Sequence, residues 1–398
     1  KAIRREVSGR RGQASGSEHC LGLYSGWYNG LRRKRLFLRG VAMLNELSIQ
    51  NFRCFPDLTV PLSRVNLILG KNSVGKTACL DAFRFLFGIP FRKNYLWQPS
   101  SASFLGLQAR IWEEAFYNYN VDVNVDLRSF DGFDDIRTLS MSYQSEPDID
   151  DNIEEQMELW RDEGGHENGD TRSAFPRIKV TITRSQTNTR HFFIDLSMRG
   201  LYGMRYSEIG KLFPSVSDIE YPSPPSGKVI RDFSVKEEQG SSGEVMALLR
   251  NFEPRLLDLR LSYARERMEI VGNVGMKKPV PLLSMGDGLV KMLNLCFAFS
   301  DSAEAVLIDE FENGFHYGIL EHVWSFINKV SESTNTQLIA TTHSMECVVA
   351  AFNAFKDAHQ LDHLNVIRLD RNKAGMIEPV VYDHEALEAA IDFGFEVR

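Results

Sequence analysis

Between the apolar run VNLILG and the segment ACLDAFRFLF, whose apolar side chains recur at helical spacing, stand eight residues, GKNSVGKT at 70–77. No other stretch narrows the fold of this chain as far. It satisfies G-x-x-x-x-G-K-[ST] and lies where such a loop has to lie, after a buried strand and before a helix. Gly70 and Gly75 allow backbone angles that other residues resist, so successive N–H groups turn inward toward phosphate oxygens. The start of the helix adds partial positive charge. Lys76 reaches the β and γ phosphates, and the Thr77 hydroxyl completes part of a magnesium shell. Gly70, Asn72, Ser73, Val74, Gly75, Lys76 and Thr77 are therefore expected to enclose a nucleoside triphosphate, with ATP and Mg2+ as the cofactors.

Much later in the chain, in AEAVLIDEFENGFHYG, an apolar run ends in Asp309 and Glu310. That pattern sets one carboxylate on a metal, directly or through water, and the next against an attacking water. Such pairs are common by themselves; together with the loop at Gly70 the pair gains meaning. A third element, TTHS at 341–344, closes the strand-like run QLIAT. A lone histidine is more often structural, but one strand after the carboxylates His343 is placed to approach the γ phosphate from the side opposite Lys76. Finally, in LLSMGDGLVKMLNL, Ser284 and Gly286 precede a helix whose first turn suits a phosphate. Because the first loop already serves one nucleotide, this second anion-binding end is expected to serve that of another subunit. The plain alternative is a serine-capped helix.

Organisation follows the same division. Residues 1–42 carry ten Lys/Arg against Glu6 and Glu18, a net of +8, so the whole-chain charge of -7 leaves about -15 for the rest. That segment lacks apolar periodicity and is expected to be a leader outside the fold, natural synthesis starting at Met43; a basic arm touching phosphate or lipid is the other reading. Strands are expected at 44–51, 58–60 and 65–69 and a helix at 76–87, forming with the loop the N-terminal part of the core, 43–90. Residues 91–280 read as an inserted β-rich and helical subdomain. It contains alternating strands at 121–127, 178–184 and 191–197, an acidic loop at 144–170, a Pro/Ser/Gly linker at 221–228 and a helix over 243–263. The C-terminal part of the core, 281–398, returns to strand–helix alternation and hence to a parallel sheet. Five cysteines, Cys20, Cys54, Cys79, Cys296 and Cys347, form no CxxC pair, so zinc and a disulfide framework are not indicated and reduced thiols of a cytoplasmic protein fit best. No run approaches the ~20 apolar residues of a membrane span.

The succession NFRCF, GKNSVGKT, an insertion, LSMGDG, VLIDEFENGFHY and TTHS resembles the ABC-like ATPase heads of the SMC, RecF and OLD group, above all the stand-alone bacterial AAA-family ATPases related to OLD proteins. The resemblance runs from Met43 to the C-terminus, with little specificity between 91 and 279. It implies an α/β P-loop NTPase head, a mostly parallel sheet flanked by helices with an inserted subdomain, that hydrolyses ATP as a homodimer or higher even oligomer around two nucleotides. In that scheme Lys76, Glu310 and His343 carry catalysis, Glu310 polarises water, Thr77 and Asp309 hold Mg2+, Ser284 and Gly286 act in trans, and Arg53 of NFRCF lies near the nucleotide. Two departures stand out. SMGDG lacks the Gln that follows the signature in transporters and SMC heads, and the glutamine expected after the first helix has only Gln98 and Gln108 as candidates. The stretch after His343 is too short for the nuclease domain of full OLD proteins. The expected role is a switch that regulates a separately encoded effector, such as a nuclease, in anti-phage defence. The alternative is a DNA-repair or chromosome-associated head that clamps DNA when ATP-bound, with Arg177, Lys179, Arg184 and Arg190 as a basic patch; a transporter ATPase is a weaker third.

Overall fold

The computed structural model describes residues 43–91, 112–131, 136–145, 177–184, 188–195, 200–202, 213, 216–219, 227–238, 246, 249–250, 252–264, 267–300 and 303–393. Residues 1–42, most of the acidic stretch 144–170, the linker residues 221–226, Gln98 and Gln108 lie outside the described residues. In chain order the elements are β1 (Leu44–Phe52), β2 (Phe55–Pro61), β3 (Val65–Leu69), α1 (Lys76–Leu86), β4 (Val125–Asp131), β5 (Ile136–Gln144), β6 (Arg177–Arg184), β7 (Asn188–Asp195), β8 (Gly200–Tyr202) and β9 (Val216–Ile219). Then come α2 (Gly227–Glu238), β10 (Asp258–Ala264), β11 (Arg267–Asn273), β12 (Val280–Pro281), α3 (Asp287–Ser300), β13 (Ala305–Ile308), α4 (Leu320–Thr334), β14 (Gln337–Thr341), α5 (Met345–Asp357), β15 (Leu364–Arg371), β16 (Ile377–Tyr382) and α6 (His384–Asp392).

Two compact units emerge, one formed around residues 225–293 and the other from 39–224 with 294–398. The larger contains two sheets. A six-stranded sheet runs β16-β15-β3-β14-β13-β9, its inner pairs parallel and only β16 antiparallel. β3, β13 and β14 are buried at every position, the continuous apolar run expected of a parallel sheet covered on both faces. An antiparallel seven-stranded sheet runs β2-β1-β4-β5-β6-β7-β8. Here alternation decides: Leu47, Ile49, Leu127, Leu139, Ile178 and Val180 turn one way into the core, while Ser48, Arg128, Thr138 and Lys179 turn the other. β1 and β2 thus belong to the antiparallel sheet, and the four-residue β9, from the stretch read as insertion, pairs in parallel with β13.

α1 touches both sheets, β14 on one side and β4 and β5 on the other. Its buried set, Cys79, Leu80, Ala82, Phe83, Phe85 and Leu86, therefore covers most of the helix, not one stripe. Phe85 meets Phe52 and Trp112 edge to face at centroid distances of 5.3 and 5.9 Å. Each such side chain stabilises by about 1.5–3 kcal/mol on burial, so the helix that starts at the phosphate loop is anchored along its length.

The smaller unit holds the three-stranded sheet β10-β11-β12, with α2 against β10 and β11. Gly272 of β11 is needed for close approach: a Cβ there would stand 2.6 Å from the Met285 sulfur. Two expectations are corrected here. The helix read over 243–263 gives way to strand from Asp258, because Leu259, Leu261 and Tyr263 also alternate and pair with Gly272, Ile270 and Met268. Gly227 and Lys228, read as linker, open α2. In the larger unit the strand read over 121–127 begins only at Val125.

Candidate active site

The strand order places the site. β3, β14 and β13 are adjacent and parallel, so the segments that follow them emerge at one edge of the sheet. Those segments are the glycine loop, the histidine turn and the carboxylate pair, in that spatial order. Carboxyl ends of parallel strands are where ligands of open α/β sheets bind.

In the loop, Gly70, Ser73 and Gly75 have φ of 141°, 62° and 97°. This alternation of handedness directs successive N–H groups to a common centre. The space is fitted: a Cβ on Gly70 would lie 2.6 Å from the Leu369 carbonyl oxygen, and one on Gly75 2.7 Å from Cys54 Sγ and 2.8 Å from Phe55 Cζ. Val74 is buried beneath the loop, while Asn72, Ser73 and Thr77 are exposed. Gly75 is the N-cap of α1, and no side chain caps that helix end.

Lys76 is buried at 6% exposure, and its ammonium donates to the carbonyls of Gly70 at 2.7 Å and Lys71 at 2.9 Å. Burial lowers its pKa, and the charges of Asp309, Glu312 and Glu310 oppose that shift. The three carboxylates after β13 therefore act electrostatically on the loop lysine, which brings the two distant motifs into one site.

At the end of β13 the backbone bends sharply, with Glu310 at φ 50°. This strained angle is supported by Thr341 of β14, whose hydroxyl donates to Asp309 Oδ1 at 2.5 Å and accepts from the Glu310 N–H at 2.9 Å. Phe311 N–H donates to the Thr341 carbonyl at 2.8 Å, and Asn313 donates to the Glu310 carboxylate. Glu310 itself is exposed. Glu312 accepts from the Thr342 hydroxyl at 2.6 Å and from the His343 N–H at 2.7 Å. Ser344 caps α5 through the Cys347 N–H.

The other candidates fall elsewhere. Arg53 pairs with Asp81 of α1 at 2.5 Å, and Asp81 with Arg84, which also grips Asp218 of β9. Arg53 is thus tied to the phosphate-loop helix. Burial opposes the Arg84 charge, but Asp218 and Asp81 more than compensate and raise its pKa. Ser284 lies in a short 3-10 turn and is exposed; Gly286, at φ 120° with open space at its Cβ position, supplies the carbonyl that opens α3 through Leu289 and Val290. The serine-capped helix is therefore not what stands there. Both residues belong to the smaller unit. The basic set divides: Arg177 and Lys179 share a face of β6, with Arg177 stacked at 4.1 Å over Phe193, whereas Arg184 and Arg190 stand at positions of the opposite parity.

Sequence reasoning missed Thr341, Thr342 and Glu312, whose roles are contacts between segments some 30 residues apart. The motifs DEFE and TTHS contain them but show only which residues stand at the strand ends. It also missed Arg371, which closes β15 and donates to the Ser73 carbonyl at 3.4 Å.

The residues present suit a magnesium nucleotide. The Thr77 hydroxyl is exposed at the helix start, and Asp309 offers an oxygen beyond the one held by Thr341. Among the described residues no group of three or more His, Cys, Asp or Glu is placed to hold a metal; a phosphate-bound Mg2+ requires only one or two protein ligands.

A glycine loop, a buried lysine, paired carboxylates and a histidine at the carboxyl ends of adjacent parallel strands define a P-loop ATPase head. Residues 43–196 match the family described as "AAA ATPase domain" and residues 188–348 the one described as "AAA domain, putative AbiEii toxin, Type IV TA system". The first match contains the loop and the second the carboxylates and His343, so both halves of the site fall within AAA ATPase domains. It is 22% identical over 338 residues to an ATP/GTP phosphatase of Helicobacter pylori, a match covering 77% of this chain and 86% of that protein. A 46-residue stretch is 41% identical to an OLD nuclease of Thermus scotoductus, covering 12% of this chain and 9% of that protein. Among solved structures, an SMC head bound to the C-terminal winged-helix domain of ScpA aligns with TM-score 0.45 and 15% identity over 88% of this chain and 99% of that one. The SMC head of Thermotoga maritima aligns with TM-score 0.39 and 15% identity, over 86% of this chain and 99% of that one. Among the described residues no helix is long and apolar enough to cross a membrane.

Proposed function

We propose that this ATPase is a molecular switch that dimerises around ATP and conveys its nucleotide state to a separately encoded effector protein, in bacterial anti-phage defence. The observation that carries the reading is the convergence of the loop, His343 and Glu310 at one sheet edge on β3, β14 and β13. Lys76 neutralises the β and γ phosphates, and the N–H groups of 70–77 hold them. Asp309 and Thr77 would hold Mg2+, which would help neutralise the charge that develops on the phosphates. Glu310, exposed and oriented by Asn313, takes the proton of the attacking water. His343 faces the γ phosphate, and Ser284 with Gly286 completes the site of a second copy. Support for the defence setting comes from the toxin named in the family description and from the short OLD nuclease match.

The test is to purify the Glu310→Gln variant from its own host in Mg-ATP and identify what elutes with it. A stoichiometric second protein supports the effector reading. Nucleic acid alone moves the assignment to DNA clamping, which the division of the basic residues between sheet faces disfavours. A monomer without any companion overturns both.

A further inference from the structure

Glu312 belongs to neither the carboxylate pair nor the histidine turn, yet beside Thr341 its side chain also ties the two segments together. One oxygen accepts from the Thr342 hydroxyl at 2.6 Å and the other from the His343 N–H at 2.7 Å. Thr342 is fully buried, its own N–H donates to the Ile68 carbonyl of β3 at 3.0 Å, and its hydroxyl accepts from Ser344 N–H at 3.1 Å. The far side of Glu312 is fixed as well, since Phe311 N–H is bonded to Thr341 and Phe311 stacks on Trp324 at 4.1 Å. The carboxylate therefore bridges two segments that are each rigid.

We propose that Glu312 is a positioning residue for hydrolysis: it fixes the His343 backbone so that the imidazole keeps its place against the γ phosphate. This rests on the ATPase reading of the site. Both oxygens are committed to backbone and hydroxyl donors, so Glu312 is not the proton acceptor; Glu310 keeps that role. Its charge also acts on Lys76, beside those of Asp309 and Glu310. A bidentate acceptor is what this bridge requires. Aspartate, one methylene shorter, cannot span both donors. Glutamine can, with its oxygen on the His343 N–H and its amide donating to the Thr342 hydroxyl, which has a lone pair to offer.

Displacing a catalytic group by about 1 Å costs up to ~100-fold in rate. Glu312→Ala is therefore expected to lower kcat about 10–100-fold while KM for ATP and the Kd of a fluorescent ATP analogue stay within about threefold. Glu312→Gln should recover most of kcat and Glu312→Asp little. The decisive arm is a double-mutant cycle: in a His343→Ala background, adding Glu312→Ala should cost less than about twofold, because Glu312 acts through His343. Four outcomes overturn the proposal: unchanged kcat in Glu312→Ala, a Kd that weakens in step with kcat, equal loss in the Gln and Ala variants, or a full multiplicative loss in the double variant. If the parent binds no ATP or does not turn it over in the same assay, the ATPase reading falls and the proposal with it. Turnover by the parent with no loss in Glu312→Ala sinks the proposal alone.

Discussion

The ion chain Arg53–Asp81–Arg84–Asp218 ties the phosphate-loop helix to the β1–β2 turn and to β9, and Asp81 is its centre. Asp81→Ala removes a carboxylate that pairs with both Arg53 and Arg84. Breaking a fully buried pair from one side costs about 3–5 kcal/mol. Two features reduce that here. The Arg53 side chain is 21% exposed, so water reaches it, and Arg84 keeps its bonds to Asp218 at 2.8 and 3.1 Å. About 2–4 kcal/mol remains. At roughly 2–4 °C per kcal/mol, thermal unfolding should begin about 4–16 °C lower. Differential scanning calorimetry of parent, Asp81→Ala and Asp81→Asn measures this; the amide keeps an acceptor for one arginine only and turns an NH2 donor toward the other, so it too should melt below the parent. A melting temperature for Asp81→Ala within about 1 °C of the parent would refute the claim that the chain anchors α1.

Lys76→Ala should leave the fold intact, since the bonds it removes are local ones to the Gly70 and Lys71 carbonyls of its own loop, and abolish binding in a fluorescent-nucleotide titration; retained micromolar binding would contradict the loop assignment. Gly75→Ala places a methyl against Cys54 Sγ and Phe55 at φ 97°, and the combined strain and overpacking of about 2–5 kcal/mol should weaken ATP binding and lower the denaturation midpoint together. Cys79, whose thiol burial pushes up to about 12, carries about one thiolate in 10^4 at pH 8. It should resist alkylation until denaturant is added, whereas peptide mapping that finds it labelled in the native protein would show that α1 opens.

The sheet edge that gathers the candidate residues was legible because each of its parts is local: a glycine loop between strand and helix, carboxylates after a buried run, a histidine after another. What was not legible depends on pairing across the chain. β9 is only Val-Ser-Asp-Ile, with half-buried Ser217 and Asp218 in its middle, and nothing in four such residues declares a strand of the parallel sheet. Leu256 to Leu261 carries both helical and alternating spacing, and its partner β11 decides for strand. Asp81 is buried and Arg84 half-buried, on a helix read only by its apolar spacing, because Asp218 and Arg53 come to meet them from elsewhere. Glu312 is hidden for the same reason, since its donors lie in the histidine turn.

The account stands most directly on Glu310. Steady-state ATP turnover and equilibrium ATP binding should be measured on the parent and on Glu310→Gln, in the same buffer with Mg2+. The account predicts turnover reduced by at least about 100-fold, with ATP bound as tightly as by the parent. Turnover equal to the parent's would contradict it, because the carboxylate held at the end of β13 would then have no part in the reaction.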